Sequence, residues 1–228
     1  MSTTHDPGLF EIMYSLRSMR RLKPDPVPDD LVWKILDAAV RAPSGGNTQP
    51  WRFLVVRDAA TKQFIQERYK RGWDRYVVAN LKAAAEAPVP MTPDEAAARA
   101  KMVQAATLLA EHLHEAPVLL LVCMTPRKMD LPPDPESQPP SPAALYASIF
   151  PAVQNILLTC RALGLGATLT TLHLLYERSV KDRLGIPAEV DTVALLPIGW
   201  PAGKFGPVAR APVETVTYWD RWGTSRSR

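Results

Sequence analysis

Residues 42–51 read Ala-Pro-Ser-Gly-Gly-Asn-Thr-Gln-Pro-Trp, and their side chains could hold a ligand. Ser44, Asn47 and Gln49 offer short neutral donors and acceptors. Gly45 and Gly46 let backbone approach a ligand closely, and Pro43 stops the preceding helix. The set suits a flat heterocycle better than a metal or a bare phosphate. It equally suits an ordinary helix-to-strand turn with polar groups in water. Upstream, Arg17, Arg20 and Arg21 share one face if that segment is helical. Three guanidiniums repel one another unless solvent or an anion lies between them. A phosphate fits, because arginine binds it bidentately and keeps its charge. A solvated basic face is the alternative.

Other chemistries find no residues to carry them. Gly164-Leu165-Gly166 lacks the third glycine of a dinucleotide fingerprint and follows a helical pattern, not a strand. His112 and His114 diverge on a helix, so the four histidines give no metal site. Ser44 has no triad partners, and no acid pair stands out. Such a chain leaves the chemistry to a cofactor and supplies position and electrostatics.

The elements must position these groups. A chain of 228 residues, 46% of them hydrophobic, can build one full core without staples. Cys123 and Cys160 lie in apolar segments and read as buried thiols of a reducing cytosol. Residues 1–10 show no secretory leader and no apolar stretch reaches about 18 residues, so a cytoplasmic protein off the membrane is expected. The net charge of +4 is scattered, which argues against nucleic acid. Helices are expected over 9–20, 28–41, 61–82, 92–115, 143–163 and 176–184. Pro151 should kink the fifth or mark a late start. Thr92 and Glu95 form a capping box. Strands are expected at 51–57, 118–124, 167–171 and 190–199, the second buried on both faces. Residues 87–93 read as a break, 125–142 as a proline-rich loop, and 213–218 as a late strand or arm. The intermixed order suggests a single α+β domain over 1–228, a central mixed, mostly antiparallel sheet flanked by helices.

Together these segments resemble the nitroreductase family of FMN-dependent oxidoreductases. The likeness rests on Arg17-Ser18-Met19-Arg20, then Pro24-Asp25-Pro26-Val27-Pro28, then Ala42 to Phe53. It continues through Gln154-Asn155, the Gly164 to Thr168 turn, Leu184-Gly185-Ile186-Pro187, the Ala194 to Gly199 segment and Arg210-Ala211-Pro212. The resemblance implies a nitroreductase-like fold and a homodimer. Residues 143–163 would form the interface helix and 212–228 a crossing arm. One FMN would sit at each end of the interface.

The resemblance also implies roles. Arg17, Ser18, Arg20 and Arg210 would hold the FMN phosphate, with Arg21 in support. Arg20 would also stand near flavin N1 and O2. Pro43, Ser44, Gly45, Asn47 and Gln49 would line the ring from the partner. Ser148 would add a polar contact, and Leu169, Thr170, Thr171 and Leu172 would face N5 with backbone. No side chain need be catalytic, since flavin N5 carries the hydride. Trp73, Tyr76 and Lys82 are candidates for the substrate side. Leu16 and Val208 stand where relatives carry basic residues. The implied activity is NAD(P)H-driven, ping-pong reduction of a nitroaromatic, quinone or activated alkene. The same fold also serves reductive dehalogenation, flavin fragmentation and dehydrogenation. A non-catalytic flavin-binding module is a further alternative.

Overall fold

The computed structural model describes residues 7–86, 91–126, 132, 134, 136 and 141–226. The expected break at 87–93 and the proline-rich loop lie largely outside them. The helices are α1 (Leu9–Ser15), α2 (Asp29–Ala39), α3 (Ala59–Ala85), α4 (Pro93–His112), α5 (Pro142–Tyr146), α6 (Phe150–Ala162) and α7 (Glu177–Leu184). The strands are β1 (Trp51–Val56), β2 (Val118–Met124), β3 (Gly166–Ala167) and β4 (Asp191–Gly199), ordered β1-β2-β4-β3. The expected α+β class and antiparallel sheet are present. Every pairing among the described residues is antiparallel, so the parallel component expected of a mixed sheet is not found there.

β2 explains the layering. It is buried along its whole length, and successive side chains point to opposite faces. Leu120, Val122 and Met124 pack with Ile35 of α2 and Ile156 of α6. Leu119, Leu121 and Cys123 pack with Ile65 of α3, Leu109 of α4 and Val180 of α7. One apolar run thus seeds two cores, and helices must cover both faces of the sheet.

Local signals set several boundaries. The capping box forms as expected: Glu95 N–H donates to Thr92 Oγ1 at 3.3 Å, and Thr92 N–H donates to Glu95 Oε2 at 2.9 Å. Gly185 ends α7 in the left-handed region at φ 65°. Pro151 does mark a late start. A short capped helix, α5, turns over residues 147–149, and α6 begins at Phe150. Against expectation, Ala143–Ala162 is apolar and long enough to cross a membrane by length and composition. Here the turn interrupts it, and Ala152, Val153, Ile156 and Cys160 put one face of α6 into the core. Residues 213–218 form no strand; Val213–Val216 is a 3-10 turn.

Both cysteines are buried free thiols, and burial pushes their pKa up to about 11 for Cys123 and about 12 for Cys160. His173, in a 3-10 turn at Leu172–Tyr176, is fully buried. Neither ring nitrogen has a hydrogen-bond partner among the described residues. Burial lowers its pKa from 6.5 to about 4, although the Glu177 carboxylate pulls the other way. The unfolded chain therefore takes up this proton first. Stability held above pH 6.5 is lost as pH falls from 6.5 towards 4, by at most roughly 3 kcal/mol. Replacing His173→Leu should flatten the fall in melting temperature over that window by several degrees. Calorimetry at stepped pH would measure it, and a slope identical to the parent chain's would refute the assignment.

Candidate cofactor-binding site

The two ends of the chain meet edge to edge. Leu22 and Pro201 form an antiparallel bridge. Lys23 N–H donates to the Trp200 carbonyl at 2.8 Å, Ala202 N–H to Arg21 at 3.0 Å and Val208 N–H to Tyr14 at 3.1 Å. Met19 N–H donates to the Ala167 carbonyl at 3.0 Å. These bonds correct the expected helix over 9–20. It stops at Ser15, and 16–21 run without helical structure, the Met19 N–H being claimed by β3 and the Arg21 carbonyl by the returning chain. Arg17, Arg20 and Arg21 consequently share no helical face.

Close approach here requires glycine. A Cβ on Gly166 would stand 2.9 Å from Met19 Cβ and from Leu22 Cδ2. Arg161 of α6 ties both ends down. Its Nε donates to Ser15 Oγ at 2.9 Å, and its guanidinium lies 4.3 Å over the Phe205 ring.

This junction frames a cavity of about 430 Å³. Arg17, Ser18, Arg20 and Arg210 line it together, with Gln154 and Thr168 as further polar groups. Met13, Leu16, Leu157, Leu169 and Val208 give it an apolar wall. No carboxylate lines it, and none of the three arginines has an ion-pair partner among the described residues. Three guanidiniums and a hydroxyl beside an apolar surface suit an organic phosphate. Leu16 and Val208 are therefore apolar parts of the wall. Arg21 does not join this cavity; it lines the clefts on the other side of its segment.

A second group of expected residues gathers elsewhere. Gly45 N–H donates to Ser148 Oγ at 3.0 Å, joining the 43–49 loop to the turn before α6. Gln49 N–H donates to Ser44 Oγ at 3.1 Å, and Gln49 Nε2 to Asn47 Oδ1 at 3.1 Å. Gly46, Asn47 and Gln49 all lie in the left-handed region, at φ 58°, 52° and 47°. Asparagine tolerates this and glutamine does so at a cost of about 1–2 kcal/mol. None of these residues, nor Pro43, lines the arginine cavity of the same chain.

The third group divides. Leu169 lines the cavity, whereas Thr170 is paired with Leu195 through both its N–H and its carbonyl. The Thr170 N–H is thus committed within the sheet, and neither Thr171 nor Leu172 lines the cavity. Thr170 Oγ1 donates to the buried Tyr69 hydroxyl at 3.0 Å. Trp73 is corrected from pocket wall to core: it is 5% exposed, and its Nε1 donates to Thr107 Oγ1 at 3.0 Å. Tyr76 stacks on Trp73 at 5.7 Å, and Lys82 is a surface side chain 3.9 Å from Glu86. Neither lines the cavity. Residues that the sequence reading missed include Gln154 and Thr168; both sit inside quoted motifs, which was the available signal.

The fold and this cavity define a small α+β protein with a basic, partly apolar pocket at the sheet edge. The Nitroreductase family profile matches residues 15–200, and the chain belongs to that family. It is 33% identical to 5,6-dimethylbenzimidazole synthase of Rhodospirillum rubrum over 197 residues, 85% of this chain and 82% of that one. It is also 33% identical to NADH dehydrogenase of Thermus thermophilus over 216 residues, 89% and 91% of the two chains. Among solved structures, oxidized iodotyrosine deiodinase bound to FMN and 3-iodo-L-tyrosine superposes with a TM-score of 0.68 at 26% identity. That match covers 95% of this chain and all of the other.

Gly166→Ala forces a methyl group into Met19 and Leu22 and should lower stability by about 1–3 kcal/mol. Gly203→Ala adds a methyl that meets nothing within 4 Å and serves as the control. Urea unfolding of the two variants would check this; equal midpoints would show that the edge junction tolerates expansion.

Proposed function

We propose that this chain is an FMN-dependent oxidoreductase, driven by NADH or NADPH, that reduces an electron-poor small molecule as a homodimer. The observation that carries the reading is the convergence of Arg17, Arg20 and Arg210, from opposite ends of the chain, on one cavity with an apolar wall. The residues fit FMN. Arg17, Ser18 and Arg210 offer charge and hydrogen bonds to a phosphate bearing roughly −1.5 to −2. Met13, Leu157 and Leu169 offer surface to a flat ring and exclude water from it. Arg20 places positive charge where the ring's pyrimidine edge would carry negative charge. When bound, FMN supplies two-electron hydride chemistry that no side chain here can perform.

Several observations support the dimer. Phe10, Tyr14, Trp33, Phe150 and Trp222 are all exposed on the single chain, Trp222 at 91%. Exposed large apolar side chains of this kind are covered when a second copy packs on them. The 43–49 loop presents hydrogen-bonding groups that its own cavity does not use, as it should if it completes the site of a second copy.

The relatives' names support two readings of the reaction. The Thermus thermophilus relative is named a dehydrogenase of NADH. The Rhodospirillum rubrum relative, equally similar, is named a synthase of 5,6-dimethylbenzimidazole. Reduction of a small acceptor requires the fewest additional groups, and none beyond the cavity is needed for it.

Purified protein should be yellow with one FMN per chain, bleach anaerobically with NADH or NADPH, and recover its colour with a nitroaromatic or quinone. Protein that stays colourless with added FMN rules the reading out. Bleaching without recovery across an acceptor panel favours another flavin reaction, and bound FMN that neither nucleotide bleaches favours a non-catalytic module. Arg210→Ala removes a charge-assisted contact worth about 1.5–3 kcal/mol. It should weaken FMN binding by about 10-fold to 100-fold in a fluorescence titration.

A further inference from the structure

The segment that carries Arg17 and Arg20 is a wall shared by two hollows. Behind the cavity just described lies a larger cleft of about 690 Å³. Its charged lining is Arg17, Arg20, Arg21, Lys101 and Lys204. No carboxylate lines it, and none of the five has an ion-pair partner among the described residues. Glu115 lines a separate cleft beside Arg20 and Arg21, but its carboxylate meets His112 Nδ1 at 2.8 Å.

The opposite wall is a helix face. Ala98, Lys101, Met102 and Ala105 of α4 fall at i, i+3, i+4 and i+7, so they form one stripe. That stripe gives the cleft an apolar strip with Lys101 set in it. Ala202 and Lys204 repeat the combination from the returning chain. Unpaired like charges around a hollow repel one another, and an anion relieves that repulsion. Adding Arg210 makes six cations around the two hollows. One FMN phosphate, with at most about two negative charges, leaves most of them uncompensated.

We infer that this second cleft is a binding site for an organic anion, a carboxylate or phosphate on a small apolar body. Such a ligand would set its charge among Lys101, Lys204 and Arg21 and lay its body along Met102. The inference rests on the proposed oxidoreductase reading only in identifying that ligand as a reactant. The anion is then the acceptor's own charged group or the phosphates of the nicotinamide donor.

Calorimetric titration of the purified protein with 4-nitrobenzoate and with its neutral analogue 4-nitrobenzamide tests the site. FMN content is measured on the same samples. The charged ligand should bind about tenfold more tightly, the amount two partly solvated ion pairs supply. In the Lys101→Gln/Lys204→Gln variant the two ligands should bind alike while FMN content is unchanged. A parallel titration with ADP-ribose separates the sources. A loss confined to nitrobenzoate assigns the charge to the acceptor, and a loss with ADP-ribose assigns it to the donor's phosphates. Equal affinity for the charged and neutral ligands, joined by no effect of the variant on ADP-ribose, overturns the proposal. Absence of FMN from the parent protein defeats the flavin reading alone, because the calorimetric preference is read without it.

Discussion

The antiparallel contact between residues 14–23 and 200–208 is the constraint on which the candidate site depends. Arg17 and Arg210 are far apart in the chain, and neither helix packing nor local propensity would bring them together. Three backbone hydrogen bonds and the Leu22–Pro201 bridge do so. Glycine at 166 makes the approach possible, since any side chain there would strike Met19 or Leu22. Arg161 then locks the arrangement by touching Ser15 on one side and Phe205 on the other. Cations on segments tied by backbone hydrogen bonds lose less freedom on meeting an anion than cations on a frayed helix end. Preorganisation of this kind turns a loose basic run into a site.

The rest of the fold serves that edge. β2 feeds two cores at once, so the sheet is clamped between α2 and α6 on one face and α3, α4 and α7 on the other. β4 is buried from Thr192 to Gly199. Among the described residues its far edge is completed only by the two-residue β3 and the Thr170 bridge to Leu195. A short edge strand leaves room beside it, and that room is the cavity. The strained loop at 43–49 lies on another part of the surface, tied to Ser148. Left-handed Gln49 is held by its bonds to Ser44 and Asn47, and such outliers cluster at functional positions.

What could be read from sequence follows a physical line. The capping box at Thr92 and Glu95, the stop at Gly185 and the buried run at 118–124 were legible because each rests on contacts within a few residues or on composition alone. The resemblance also gathered Arg17, Ser18, Arg20 and Arg210, which the structure places around one cavity. The helical reading of 16–20 failed because tertiary backbone pairing outweighs a helix propensity of a few tenths of a kcal/mol per residue. Trp73 was misplaced for a related reason. An aromatic residue in a mixed helical stretch carries no mark of which face is covered, and its indole found Thr107 across the α3–α4 contact. Nothing in residue type announces a left-handed glutamine, so the loop's geometry was invisible.

Charge distribution carries the synthesis one step further. The whole chain has a net charge of only +4. Yet six cations surround two adjoining hollows, so the remainder of the molecule is net acidic. Such segregation stores repulsion in the free protein, which folding must offset elsewhere. Cations lining a hollow beside apolar walls also focus a positive potential into it. Leu16 and Val208 matter in this light. They are apolar wall inside the first cavity, while Arg21, Lys101 and Lys204 place charge outside it in the second. A protein whose only anionic guest was one phosphate would gain nothing from that placement. A protein that must also draw in a second, smaller anion would gain both affinity and encounter rate from it.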